Sequence, residues 1–220
     1  MRSLLAFAAA ATFAAALPAA AGGAPTGDCH CFQDRTWDRA APASADPYVL
    51  ATTRSSLLSA AFGVGKGTLV RTVMGGTPAD DLWIAYGSGA RAGRDAEALL
   101  AAKQRKGSWK GALAGAKGLG PAFEAALASG AADAALSAIV IDDVLLGRLR
   151  ANAEDVALLR AAGAKSEEVV LAAVLSVRLG TPAMPILARV RTGKATWGST
   201  LHDAGLAPQD MDAVVRGLVR

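Results

Sequence analysis

Residues 193–215 read GKATWGSTLHDAGLAPQDMDAVV. Thr196 is placed to cap a short helix beginning at Trp197, Gly205-Leu206 forms a turn, and Pro208 opens a second helix. Leu201 and Ala204, then Met211, Val214 and Val215, fall on the inward side of such a helix-turn-helix. A DNA reader needs cations or amides on its second helix to meet phosphates and base edges. Here that helix offers Gln209, Asp210 and Asp212, so nucleic acid is excluded as a partner and the unit is read as a packing device.

A weaker copy stands upstream as KGSWKGALAGAKGLGPAFEAAL, residues 106–127. The match extends outward. Arg91-x-Gly93 returns as Arg178-x-Gly180, Leu99-Leu100 as Ile186-Leu187, and Gly118-Leu119-x-Pro121 as Gly205-Leu206-x-Pro208, all 87 residues apart. Trp109 returns as Trp197 and Leu113 as Leu201, at a spacing of 88. Self-alignment of alanine is cheap, but Trp and the Gly-Leu-x-Pro run are not alanine, and a fixed period is the signature of internal repetition.

Local signals after Tyr48 are helical throughout. Ser166 is placed to cap a helix whose first turn carries Glu167 and Glu168, and Thr181 caps the next with Pro182 at its first position. Thr77-Pro78 opens a helix in the same manner, and Ser108 and Thr196 are matched caps before the two Trp residues. The expectation is an all-α fold: two tandem helical repeat units of about 87 residues packed together, residues 51–130 and 131–220. An irregular arm over residues 22–50 precedes them.

Residues 1–21 read as a signal peptide: Arg2 supplies the charge, Leu4–Leu17 a short apolar run, and Ala19-Ala20-Ala21 the small-residue exit. The run falls short of the roughly 20 residues a membrane span requires. The mature chain is therefore expected to be secreted or periplasmic and not membrane-spanning. A formal charge of +4 over 220 residues is too small to argue for a polyanionic partner.

The arm carries the chain's only cysteines in Asp28-Cys29-His30-Cys31. Outside the cytoplasm a Cys29–Cys31 disulfide is the preferred reading. Disulfides joining two chains, a redox couple, and a zinc or copper site using Cys29, His30 and Cys31 are the alternatives. Three near-adjacent ligands do not close a tetrahedral site by themselves. His202, whose repeat counterpart is Ala114, could join them only if the arm folds back over the second unit; otherwise it is an exposed polar residue. Phe32 and Trp37 are the aromatic residues that could pin the arm.

Catalytic motifs are scarce. GVGKGT at 63–68 lacks the Walker spacing, YGSGA at 86–90 is no nucleophile elbow, and Asp80-Asp81 and Asp142-Asp143 read as first-turn or solvated charges unless they meet across a cleft. Lys103, Arg105, Lys106, Lys110 and Lys117, echoed by Arg189, Arg191 and Lys194, read as solvated helix ends, with docking to an anionic surface as the alternative. The functional expectation is a non-catalytic protein acting by binding or assembly, with an unidentified protein or envelope component as partner and no cofactor. The alternative is a periplasmic metal-binding or thiol-redox protein.

Overall fold

The computed structural model describes residues 36–220, and these form an all-α protein of twelve helices with one 3-10 turn. The described residues hold no strand, only an isolated bridge between Asp38 and Ala41. AIVI at 138–141 lies inside a helix.

Six helices occupy the first run: α1 (Asp46–Phe62), α2 (Lys66–Met74), α3 (Ala79–Ala92), α4 (Ala96–Lys106), α5 (Trp109–Ala112) and α6 (Pro121–Ser129). Six follow: α7 (Asp133–Gly147), α8 (Ala153–Ala161), α9 (Ser166–Leu179), α10 (Ala183–Arg191), α11 (Trp197–Asp203) and, after the 3-10 turn Pro208–Asp210, α12 (Met211–Leu218). Paired in order, with the 3-10 turn opening the sixth element, their starts are 87 residues apart except at the Trp pair, where they are 88 apart. The helical part of the described residues begins at Asp46, inside the range 22–50 read as the arm. Pro47 fits the first turn of α1, where no backbone N–H is missed.

Local signals explain the boundaries. The hydroxyls of Ser108 and Thr196 accept from the amides of Gly111 and Ser199, so both Trp helices are capped as the sequence indicates. Gly93 and Gly180 end α3 and α9 in the left-handed conformation, at φ 64° and 66°, which costs glycine nothing. Three caps differ from the sequence reading, the first at α3, which begins at Ala79 so that Pro78 precedes it. Lys165 is the cap of α9, because Glu168 accepts from its amide while the Ser166 hydroxyl is taken by Arg160. At α10 the Ala183 amide donates to Asp155 on α8, so Pro182 precedes the helix rather than beginning it.

The core is not two self-contained bundles. α1 packs on α9 and α12, and α7 packs on α3 and α6, so the first helix of each run lies among helices of the other. This explains Gly87 of YGSGA in α3, while Gly89 is kept small by the turn into α4. A Cβ at Gly87 would fall inside the Val140 side chain of α7, and one at Gly89 would stand 2.7 Å from the Arg94 carbonyl. Leu57, Ile84, Ile141 and Leu171 are fully buried along this seam. The helix-turn-helix packs as expected, with Leu201, Met211 and Val215 buried and α12 laid against α1.

Candidate functional site

The acidic pairs are where chemistry would be sought, and the helix separates their members. Consecutive helical residues point about 100° apart. Asp80 accepts from Arg54 of α1 at 2.6 Å and from the Ser137 hydroxyl of α7. Asp142 pairs with Arg160 of α8 at 2.7 Å, and Asp143 with Arg91 of α3. Each carboxylate thus meets a different cation, and each pair ties helices together instead of forming a dyad.

Asp81 stands at the most elaborate centre. It is buried, and Trp109 donates its indole N–H to Asp81 Oδ1 at 2.7 Å. Lys103 Nζ lies 3.2 Å from the same oxygen and 2.7 Å from Asp133 Oδ2, and 5.6 Å from the centroid of the Trp109 ring. Four helices, α3, α4, α5 and α7, meet through this one ammonium. Burial opposes the charge on Lys103, but the hydrogen bonds to Asp133 and Asp81 outweigh it and hold its pKa above the ordinary lysine value. Lys103 is therefore not part of a solvated basic face. Arg105, Lys106, Lys110 and Lys117 remain exposed, with Lys110 donating to the Ala128 carbonyl.

GVGKGT spans the turn after α1, residues 63–65, and the first residues of α2. Its lysine points back into the bundle: Lys66 Nζ donates to Thr52 Oγ1 at 2.6 Å and lies 3.9 Å from Asp212. Burial lowers the Lys66 pKa, while Asp212 raises it.

Residues 37–46 lie over the second run. Trp37 stacks on His202 with ring centroids 4.2 Å apart, Thr196 Oγ1 donates to the Pro42 carbonyl at 2.7 Å, and Asp46 Oδ1 accepts from the Gly198 amide at 2.8 Å. Gly198 makes this approach possible, since a Cβ there would stand 2.9 Å from Trp37 Cδ1 and 3.2 Å from Ala45 Cβ. At the 88-residue spacing of the two Trp residues the corresponding position is Lys110, so the sequence signal for the seam was a small residue where a large one stands 88 positions earlier. His202 is exposed apart from this stacking. Cys29, His30, Cys31 and Phe32 lie outside the described residues.

Among the described residues no cluster of three or more His, Cys, Asp or Glu side chains is arranged to hold a metal ion, and no helix is long and apolar enough to cross a membrane. No family model matches the chain, and neither the characterised proteins nor the solved structures include a significant match.

Proposed function

We propose that the chain is an exported protein of two repeated helical units that acts by binding or assembly outside the cytoplasm, without catalysis. The observation that supports this best is where the charge goes: Asp80, Asp81, Asp142 and Asp143 each hold a cation from another helix. Groups committed in this way fasten a scaffold. The matched helix starts and the two Trp helices with their matched caps support the repeat. The partner is a protein or envelope component, and the arm, fastened at Trp37, is stapled by a Cys29–Cys31 disulfide.

The second reading, metal binding or thiol redox through Cys29, His30 and Cys31, draws on the arm's return across α11. Cys31 is six residues from Trp37, a tether of at most about 20 Å, and Trp37 lies on His202. Zinc or copper would suit that donor set.

One preparation tests both readings. The chain exported from a native-like host is expected to begin at or near Gly22 by intact mass, to carry no stoichiometric metal, and to yield thiols only after reduction. Replacing Cys29 and Cys31 together by Ser should leave the unfolding midpoint unchanged. A full-length, membrane-retained product would defeat export. One metal per chain, lost in Cys29→Ser/Cys31→Ser, would replace the assembly reading with the metal one.

A further inference from the structure

The Lys103 centre has a counterpart in the second run, and there the lysine is missing. Asp133 begins α7 as Asp46 begins α1, Asp81 stands in the first turn of α3 as Glu168 does in α9, and Trp109 begins α5 as Trp197 begins α11. At the 87-residue spacing the position of Lys103 is Val190. In place of the lysine stem and ammonium there is a cavity of about 310 Å³ lined by Asp46, Leu50, Glu167, Glu168, Val190 and Trp197.

Its charge is unbalanced. Glu168 pairs with Arg191 at 3.0 Å, which leaves two carboxylates, Asp46 and Glu167, and one lysine, Lys165, in the lining. Among the described residues Asp46 accepts from the backbone amides of Gly198 and Trp197. Burial raises its pKa above the ordinary carboxylate value, and those amide bonds only partly offset this. The first run shows what such a box holds when filled: a primary ammonium between Asp81 and Asp133 and over an indole face. In the second run Arg191 occupies Glu168, the counterpart of Asp81, so Glu167 is the other carboxylate of the lining beside Asp46.

We propose that the cavity at the shared start of α1 and α9 binds a primary alkylammonium group, the head of a lysine side chain or of a free amine, between Asp46 and Glu167 beside Trp197. This rests on the reading of two equivalent units. It supplies that reading's missing chemistry, since the binding function then selects a partner by an exposed amine.

The probe is n-butylammonium, titrated into the full mature chain while the Trp197 indole resonance is followed, with sodium at equal ionic strength as the control. A saturable 1:1 shift is expected. Val190→Lys, which restores the lysine of the first run, should weaken binding at least tenfold by occupying the site from within. Asp46→Asn and, as a variant away from the α11 amides, Glu167→Gln should each weaken it about tenfold. Acidification should weaken binding in the wild type as Asp46, whose pKa is raised, takes up a proton, and should weaken it less in Asp46→Asn.

A lysine-bearing tripeptide amide binding tenfold tighter than n-butylammonium would assign the head group to a polypeptide, and equal affinity would assign it to a free amine. Either result supports the site. Absence of a saturable shift in the folded wild type, or undiminished binding in folded Val190→Lys, overturns it. Failure of the two-unit reading would appear elsewhere, in Trp109→Ala and Trp197→Ala costing the fold widely different amounts of stability, since equivalent positions should cost alike.

Discussion

Trp109→Ala is expected to destabilise the protein by about 3 to 5 kcal/mol, the range for deleting a large aromatic side chain from a packed core. The indole is 1% exposed, so nearly all its surface is removed from water on folding. It also satisfies Asp81, which is left with Lys103 alone when the N–H disappears. Trp109→Phe separates the two effects. It keeps most of the packing and removes the donor, and should cost about 1.5 to 3 kcal/mol, the usual worth of a hydrogen bond to a charged group, since Asp81 keeps Lys103. Trp197 is 3% exposed, so Trp197→Ala should fall in the same range as Trp109→Ala. Urea unfolding at constant slope is the measurement. A loss below about 1 kcal/mol at both sites would mean that the Trp helices do not anchor the core.

Lys103→Met should be the next largest loss, about 2 to 3 kcal/mol. Removing one partner of a buried ion pair costs about 3 to 5 kcal/mol when both charges are fully buried. Here the side chains of Lys103 and Asp81 keep 17% and 11% of their exposure, which places the effect near or below the bottom of that range. The pH dependence has a definite sign. The folded-state pKa of Lys103 lies above the ordinary 10.5, so its contribution is complete below 10.5 and disappears as pH rises through the folded value. Wild type should therefore lose stability relative to Lys103→Met only in strongly alkaline solution. A gap between the two that is flat across that window would show that the ammonium is not what joins the four helices.

Much of the architecture was legible because helix ends are written locally. Ser108, Thr196, Gly93 and Gly180 carry their cap chemistry in their own side chains or lack of one, and all four act as their residue types imply. The exchange of α1 and α7 between the two runs was not legible, since an apolar face on α1 does not say whether α3 or α9 covers it. Gly87 was the trace of it, a residue kept small by Val140 53 positions away. Lys103 was misplaced for a related reason. A cation in the last turn of a helix next to Arg105 and Lys106 has the pattern of a solvated end, and its partners Asp81 and Asp133 stand 22 and 30 residues off. Ser166 and Pro182 failed as boundary marks because Arg160 and Asp155, from another helix, took over the bonding there.

Interlocking of two equivalent units is tested most directly by cutting the chain between them. Residues 36–131 and 132–220, expressed apart, should each lack cooperative unfolding by circular dichroism. Without the second run α1 loses α9 and α12, and without the first α7 loses α3 and α6. Mixed in equal amounts, the halves should recover the helical signal and a single transition. A half that folds cooperatively alone, to the same stability as in the intact chain, would contradict the interlocked arrangement.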